Sequence, residues 1–307
     1  MVTTVTANAI LDKTLYVTNI ELGKIFRSQK VENVPGGKGI NISLQLTELQ
    51  TDNIALGFLG GDVGKQIKEL LDRDKIKNDF IWIEDNTRIG FTILENNFQQ
   101  TSIFEPNHKI SESKKIDLIN KCTVYAKTSS IFAISGSVPN KEVSDVYKLI
   151  IDNVKKTNLN CKVFLDSYGE EFKEGIKAKP FSVKQNKKEA EIFANRSIKN
   201  ENDYLTILNL YDVEFSVITD GPNYAYIKYG NNYYRVIPLP VKVINPIGCG
   251  DVMGALFIYC FEKEKNFIDT IKYGFAAAAM NAEKWIIAKN SLADIEKYTD
   301  KIIIEQI

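Results

Sequence analysis

Short apolar runs alternate with amphipathic segments along most of the chain. Apolar, often β-branched runs predict strands, and segments whose apolar residues recur at helical spacing predict helices. The predicted strands are residues 2–6, 15–17, 25–34, 54–59, 88–94, 101–104, 131–134, 162–165, 215–219, 224–229 and 233–236. The predicted helices are residues 40–49, 63–71, 142–154, 187–193, 204–210, 251–261 and 267–287.

The order of these elements indicates an α/β fold. From residue 111 onward helices and short strands alternate, which is typical of a mostly parallel sheet with helices on both faces. An earlier region differs, because two strands flank Asn96-Asn97 there and predict a β-hairpin. We therefore expect one domain over residues 1–307, a Rossmann-like αβα body with a small β-sheet lid. The lid is discontinuous in sequence and spans approximately residues 8–35 and 86–106.

Composition and charge exclude several classes of protein. The 307 residues carry 39 Lys+Arg and 39 Asp+Glu, so no nucleic-acid partner is expected. The single histidine, His108, argues against His-rich metal sites and a Ser-His-Asp triad. The four cysteines form no C-x-x-C pair and indicate reduced thiols in a cytoplasmic protein. No signal-peptide pattern is found, and the longest apolar stretch, residues 255–261, is far below the ~20 residues of a membrane span.

Residues 245–251, N-P-I-G-C-G-D, are a candidate anion site. Gly248 and Gly250 stand at the start of a predicted helix, and Asp251 follows them. The first helical turn has free N–H groups and the positive end of the helix dipole, and glycines let an anion approach the backbone. Such amides can stabilise a phosphoryl-transfer transition state, and Asp251 could accept the proton of an attacking hydroxyl. The alternative is that Asp251 only caps the helix.

A second glycine-rich segment, residues 35–41, P-G-G-K-G-I-N, also precedes a predicted helix. It does not match a Walker A loop. Lys38 supplies a point charge and Asn41 can bind hydroxyls, while Asp12, after the first strand, suits sugar hydroxyls. The alternatives are a plain turn with a solvated lysine, and a turn aspartate at position 12.

Taken together, the two motifs resemble the PfkB/ribokinase carbohydrate kinase family, in particular its 1-phosphofructokinase and tagatose-6-phosphate kinase branch. The likeness covers nearly the whole chain. The matching segments are T-V-T-A-N-A-I-L-D (4–12), P-G-G-K-G-I-N (35–41), G-F-L-G-G-D-V-G (57–64), T-R-I (87–89), I-S-G-S-V-P (134–139), V-F-L-D-S (163–167), K-Q-N-K-K-E (184–189) and N-P-I-G-C-G-D (245–251).

The resemblance implies a ribokinase-like fold and phosphorylation of a sugar phosphate with ATP and Mg²⁺. It implies that Asp251 is the catalytic base and that the backbone amides of Gly248, Cys249 and Gly250 form an anion hole. The implied sugar-phosphate residues are Asp12, Gly37, Lys38, Asn41, Arg88 and Ser137. The implied nucleotide residues are Lys184, Asn186, Glu189, Thr219, Gly221 and Asn281, with Asn186 and Glu189 acting on Mg²⁺ through water. The branch also implies a homodimer formed through the lid.

The expected reaction converts fructose 1-phosphate to fructose 1,6-bisphosphate, with tagatose 6-phosphate as the second candidate substrate. Two further hypotheses are a kinase of an unphosphorylated sugar or nucleoside, and a sugar-phosphate sensor without turnover. Two cations, Lys38 and Arg88, favour a substrate that already carries phosphate. The intact Asp251 favours an enzyme over a sensor.

Two departures from the family pattern lie near the predicted lid, where Ala9 replaces a proline after Asn8 and residues 105–108, E-P-N-H, replace an E-x-G-P-like turn. The others lie on the nucleotide side. Gln185 replaces a proline of the K-P-N-x-x-E motif, and Asp220 stands where an apolar residue is usual. The T-G dipeptide expected after the helix that carries Asn281 is absent. These changes leave the predicted base and anion hole intact.

Overall fold

The computed structural model describes residues 1–95 and 99–307. The strands are β1 (Val2–Thr6), β2 (Ile10–Val17), β3 (Lys30–Gly36), β4 (Asn53–Gly60), β5 (Lys77–Asn78), β6 (Ile81–Ile83), β7 (Arg88–Glu95), β8 (Gln100–Phe104), β9 (Ile131–Ser135), β10 (Lys162–Asp166), β11 (Ser182–Asn186), β12 (Phe215–Thr219), β13 (Ala225–Tyr229), β14 (Asn232–Ile237) and β15 (Ile303–Gln306). The helices are α1 (Lys38–Glu48), α2 (Gly61–Arg73), α3 (Glu112–Ala126), α4 (Val146–Thr157), α5 (Gly169–Ile176), α6 (Lys187–Ala194), α7 (Glu201–Leu210), α8 (Cys249–Glu262), α9 (Phe267–Ala282) and α10 (Leu292–Thr299).

The main sheet has the strand order β15-β14-β13-β12-β11-β10-β9-β1-β4-β5, with β6 paired to β4. The strands from β12 to β5 pair in parallel, whereas β13, β14 and β15 are added in antiparallel fashion. Successive side chains of a strand point to opposite faces. On β9, Ile131 and Ala133 therefore join one apolar core, while Phe132 and Ile134 join the other. The sheet is thus buried on both sides.

A second sheet has only four strands, in the order β3-β2-β7-β8, and we call it the small sheet. Strand β2 pairs in parallel with β7 and antiparallel with β3. Strand β3 runs directly into α1, so the small sheet is joined covalently to the region where the parallel strands of the body end.

The alternating helices and strands of the body are confirmed, with several differences. Strands β5, β6, β11 and β15 and helices α5 and α10 were not predicted, no bounds were predicted for α3, and residues 25–29 lie outside β3. Helix α9 ends at Ala282 rather than at residue 287, because the chain after it folds back so that the N–H of Ala288 donates to the Asn281 side chain. The predicted turn at Asn96-Asn97 lies outside the described residues, although its flanking strands β7 and β8 do pair antiparallel. None of the described helices is both long and apolar enough to cross a bilayer.

Candidate active site

A cleft of about 580 Å³ lies between the small sheet and the carboxyl ends of the parallel strands. This volume is in the range of small-molecule pockets. Most of the predicted site residues line it, namely Asp12, Gly37, Lys38, Asn41, Arg88, Lys184, Asn186, Glu189, Thr219, Gly221, Gly248, Gly250 and Asp251. The structure therefore brings the two glycine-rich motifs, about 210 residues apart in sequence, to a single site.

Glycines allow the start of α1 to approach its neighbours closely. Gly37 caps the helix with φ 115°, and a Cβ there would lie 2.6 Å from Cγ2 of Thr6. A Cβ on Gly36 would lie 2.1 Å from Oδ2 of Asp12. Any larger residue at either position would displace its neighbour, so these glycines are needed to seat the Asp12 carboxylate beside α1.

The other glycine-rich segment forms the amino-terminal end of α8. We call residues 245–250 the anion loop. Gly248 is the N-cap residue with φ 75°, and no side chain caps this end of the helix in the described part of the chain. A Cβ on Gly250 would lie 3.0 Å from Nζ of Lys184, so the missing side chain lets that ammonium group stand beside the first turn. Backbone N–H groups, the helix dipole and Lys184 together suit a phosphate.

Asp251 lies in the first turn of α8 and is only 6% exposed. The side-chain amide of Asn41 donates a hydrogen bond of 2.7 Å to Oδ2 of Asp251. Burial raises the pKa of Asp251 to about 6, although Lys38 opposes this shift. A carboxylate with such a pKa is a stronger base than an exposed aspartate and remains ionised at neutral pH.

Lys38, one of the two cations predicted to bind the substrate phosphate, has carboxylate partners within the protein. Its Nζ donates to Oδ1 of Asp166 over 2.7 Å and lies 3.8 Å from Oε1 of Glu189. Burial would lower the pKa of Lys38, but these two carboxylates raise it. Asp166 also pairs with Lys184 through Oδ2, again at 2.7 Å. Lys38 therefore lies between the side of the cleft predicted to bind the sugar phosphate and the side predicted to bind the nucleotide.

Asp166 was not among the predicted site residues. Asp166 ends β10 in the segment V-F-L-D-S. Its place at the carboxyl end of an apolar parallel strand is the sequence feature that could have identified it as a site residue. Burial raises its pKa, but Lys184 and Lys38 together lower it further, so the group stays charged.

Arg88, the other of the two predicted cations, has no carboxylate partner in the described parts of the chain. It begins β7, pairs in register with Ile10, and faces the cleft near Asp12. Within the described residues its guanidinium forms no ion pair, and its buried Nε has no hydrogen-bond partner. Burial raises the pKa of Asp12 to about 6, with Arg88 opposing the shift and Asp251 adding to it. An anion from outside would satisfy this arginine.

The side of the cleft predicted to bind the nucleotide is formed by the ends of β11 and β12. Asn186 and Glu189 cap α6 reciprocally, since the Asn186 side chain accepts from the Glu189 N–H and the Glu189 carboxylate accepts from the Asn186 N–H. Thr219 and Gly221 line the cleft. Asp220 between them does not, because its carboxylate faces Lys187 at 3.4 Å and accepts a hydrogen bond from Tyr204. The negative charge of Asp220, which was expected near the nucleotide, is thus paired with Lys187 instead.

Three predicted residues lie outside the cleft lining. Ser137 accepts a hydrogen bond from the side chain of Asn8, and the Cys249 thiol faces the Asn245 carbonyl at 3.8 Å. Asn281 is fully buried and donates to the carbonyl of Ile247 while accepting from the N–H of Ala288. Asn281 therefore braces the anion loop from behind and has no exposed surface with which to contact a nucleotide.

The donor set fits a metal ion held mainly by water and phosphate. No cluster of three or more His, Cys, Asp or Glu suited to a metal ion occurs in residues 1–95 and 99–307. One oxygen of Glu189 is used in the capping box, but the other faces the cleft 3.8 Å from Lys38. Because Mg²⁺ keeps several waters and binds few protein carboxylates, this arrangement suits contact through water.

Comparisons with known proteins found similar sequences and structures. Residues 4–285 match the model of the pfkB family carbohydrate kinases. The chain is 30% identical over 311 residues to a 1-phosphofructokinase of Borreliella burgdorferi, covering 100% of this chain and 99% of that protein. A crystal structure of a possible 1-phosphofructokinase from Thermotoga maritima is 23% identical, with a TM-score of 0.90 and coverage of 100% and 99%. Phosphofructokinase-2 of Escherichia coli in complex with potassium is 22% identical, with a TM-score of 0.90 and 98% of both chains covered. The predicted ribokinase-like fold is confirmed.

Proposed function

Because the chain belongs to the pfkB family of carbohydrate kinases, phosphotransferases that use an alcohol group as acceptor, we propose that it phosphorylates fructose 1-phosphate with ATP. The product is fructose 1,6-bisphosphate. The observation that carries the proposal is Arg88, a half-buried cation without a carboxylate partner among the described residues, in the same cleft as Asp251. A substrate that already bears a phosphate supplies the missing anion. The 1-phosphofructokinase relative supports fructose 1-phosphate over tagatose 6-phosphate.

In the proposed mechanism Asp251 removes the proton of the acceptor hydroxyl. Asn41 holds one carboxylate oxygen through its amide and leaves the other for the substrate. The side-chain oxygen of Asn41 is buried without a hydrogen-bond partner among the residues that the structure describes, and it suits a sugar hydroxyl. The backbone amides of Cys249 and Gly250, with Lys184 beside them, stabilise the charge of the transferred phosphoryl group.

ATP supplies the phosphoryl group, and Mg²⁺ neutralises charge on the phosphate oxygens when bound. We assign Lys184, Asn186, Glu189, Thr219 and Gly221 to this half of the cleft. Glu189 contributes negative charge toward the metal through water, while Asn186 keeps the Glu189 carboxylate in place through the capping box. Asn281 acts indirectly, by fixing the anion loop.

The assignment of Glu189 gives a testable expectation. Glu189→Gln keeps the size of the side chain and its capping hydrogen bond but removes its charge. We expect the Mg²⁺ concentration for half-maximal activity to rise roughly 10-fold, as for other residues that contact a metal indirectly. The KM for the sugar should change much less. Glu191→Gln, on the same helix but outside the cleft lining, is the matched control. An effect on sugar KM alone would contradict the placement.

A coupled assay of ADP release tests the function itself. The panel contains fructose 1-phosphate, tagatose 6-phosphate, fructose 6-phosphate, free hexoses and a nucleoside. We expect the highest kcat/KM with fructose 1-phosphate. Highest activity with another hexose phosphate would change the substrate but keep the class of reaction. If none of the compounds in the panel supports ADP release, the kinase assignment is refuted and a sensor is favoured.

We further propose that two copies of the chain associate through the small sheet. Alternate residues of its strands face the cleft, and the intervening residues face outward. The outward face carries apolar side chains, including Val31 at 47% exposure and Ile103 at 59%. In the loop between β2 and β3, Leu22 and Ile25 are almost fully exposed. Large apolar side chains exposed on one face are typical of a protein interface, and a twofold dimer covers the same patch on both copies.

The dimer proposal predicts the effect of a charge at Ile103. In a twofold interface Ile103→Asp introduces two buried charges and removes two buried side chains worth about 1.5–3 kcal/mol each. We expect the dissociation constant of the dimer to rise by roughly 10²-fold or more. Light scattering after size-exclusion chromatography measures it, with Ile268→Asp, an exposed apolar residue on α9, as the control. A wild-type monomer at high concentration would contradict the proposal.

We also propose that the protein works in the cytoplasm. Its four cysteines, Cys122, Cys161, Cys249 and Cys260, are free thiols, and burial raises the pKa of each. Such unreactive, unpaired cysteines are usual in a reducing compartment.

A further inference from the structure

The small sheet touches the far wall of the cleft at Trp285. This residue lies in the loop after α9, where the family resemblance led us to expect a T-G dipeptide. The ring of Tyr16, on β2, meets the indole edge-on, with centroids 6.5 Å apart and an interplanar angle of 62°. Glu32, on β3, lines the cleft together with Trp285. We call Tyr16, Glu32 and Trp285 the rim contact.

The sheet side of the rim contact is held firmly. The hydroxyl of Tyr16 donates to Oε2 of Glu32 over 2.6 Å. Lys30 donates to Oε1 of the same carboxylate and lies 5.1 Å from the centre of the Tyr16 ring. Lys30 and Tyr16 are directly opposite each other in the sheet register. Both oxygens of Glu32 are thus engaged, which fixes the carboxylate at the edge of the cleft and holds the Tyr16 ring that contacts the indole.

The body side of the rim contact leads to the anion loop. The Asn245 side chain donates to the backbone carbonyl of Trp285 over 3.0 Å and accepts from the N–H of Ile247. Two residues after Trp285, Ile287 packs against Gly248, where a Cβ would approach the Ile287 side chain to 3.2 Å. Trp285 is therefore bonded to the loop that we assign to phosphoryl transfer and also contacts the sheet that carries Asp12 and Arg88.

We propose that Trp285 is a positioning residue for the anion loop, and that Glu32 and Tyr16 hold it there, so that sugar phosphate and nucleotide favour each other's binding. The proposal rests on the proposed function for the identity of the two ligands. A sugar phosphate bound by Asp12 and Arg88 fixes the small sheet over the cleft, and the rim contact carries that restraint to the anion loop. By linkage, the nucleotide must strengthen sugar binding by the same factor.

Packing alone is the competing explanation of the rim contact. In that case its loss would lower stability or weaken each ligand separately, and the affinity for one ligand would not depend on the presence of the other. The two explanations therefore differ in the coupling between ligands rather than in affinity.

Tryptophan fluorescence can measure this coupling directly. The chain has two tryptophans, and Trp82 is 40% exposed on β6, away from the cleft lining. In a Trp82→Phe background Trp285 is the only indole. A non-hydrolysable ATP analogue with Mg²⁺ is titrated with and without saturating sugar phosphate, using the sugar phosphate that the ADP-release panel identifies. We expect the sugar phosphate alone to change Trp285 emission, and to lower the dissociation constant of the nucleotide about fivefold or more.

Two conservative variants weaken the rim contact in different ways, each by disrupting the bond between Tyr16 and Glu32 that holds the ring against Trp285. Glu32→Gln removes the charge, and Tyr16→Phe removes the hydroxyl but keeps the ring against Trp285. In both we expect the coupling factor to fall to within twofold of one, while circular dichroism and the melting temperature verify folding. If one variant fails to fold, the other still provides the measurement. Glu48→Gln, an exposed carboxylate outside the cleft lining, should retain the full coupling.

The result that overturns the proposal is a coupling factor in Glu32→Gln or Tyr16→Phe equal to that of the parent. Absence of coupling in the parent would also overturn it, while leaving the proposed function intact if turnover is seen. Failure of the proposed function looks different, because no sugar phosphate of the panel would then support ADP release or change the fluorescence of the parent.

Discussion

Replacing Asp251 by asparagine should lower kcat by roughly 10²–10⁴-fold while leaving the affinity for the sugar phosphate nearly unchanged. The substitution keeps the size of the side chain and a partner for Asn41 but removes the proton acceptor. Asp251 is buried at the first turn of α8, and burial raises the pKa of this carboxyl to about 6. We therefore expect the loss to fall on the chemical step, as measured by single-turnover ADP formation.

Asp12→Asn is the matched control, because Asp12 is a second buried carboxyl in the same cleft and burial also raises its pKa to about 6. If Asp12 binds sugar hydroxyls, its loss should raise KM more than it lowers kcat. Nearly normal kcat in Asp251→Asn would show that Asp251 only caps the helix.

The pH dependence of kcat/KM is expected to reflect the assignment of Asp251 as the general base. A general base must be deprotonated to act, so activity should be full above the pKa of Asp251 and fall as the pH drops through about 6. Below that value the fall should approach tenfold for each pH unit. Asp12→Asn should keep this acid limb. Loss of the limb in that variant would assign the titration to Asp12 instead.

The parallel body of the fold was predictable because its strands are buried on both faces. Such strands consist of continuous apolar or β-branched runs, and the predicted bounds of β1, β4 and β9 agree with the structure within a residue or two. Strand β11 was missed. Its sequence, S-V-K-Q-N, is polar because Lys184 and Asn186 serve the cleft, so the demands of the site override the hydrophobic pattern there.

The candidate site was predictable in its backbone but not in its ion pairs. The glycines of both motifs allow a close approach of the backbone to neighbouring groups or a positive φ angle. These requirements could be predicted because glycine stands at these positions in the sequence. The pairing of Lys38 depends on Asp166, which is 128 residues away and reaches it only through the sheet register. No local pattern distinguishes a lysine that awaits a substrate phosphate from one that is already neutralised. The same limit applies to Asp220, which pairs with Lys187 and Tyr204 outside the cleft.

The pairing of Lys38 increases the importance of Arg88 for recognising a phosphorylated substrate. Two cations were expected to share the substrate phosphate, but the charge of Lys38 is offset by Asp166 and Glu189. Arg88 has no such partner among the described residues, and its Nε is buried unsatisfied. Discrimination between a sugar phosphate and a free sugar should therefore depend mainly on this one side chain.

Arg88→Ala should weaken the sugar phosphate by roughly 10- to 150-fold, because a charge-assisted hydrogen bond contributes about 1.5–3 kcal/mol. Free fructose has no anion to lose, so the weak activity with it should barely change. Arg88→Lys keeps the charge but not the planar fork, and should give an intermediate loss. The measurement is kcat/KM for fructose 1-phosphate and for fructose in the wild type and both variants. If Arg88 only braces the start of β7, both substrates will suffer equally and the ratio will stay fixed, a result that would remove the phosphate-binding role. A ratio that collapses through KM, with the melting temperature unchanged, would instead show that this unpaired arginine selects the phosphorylated sugar.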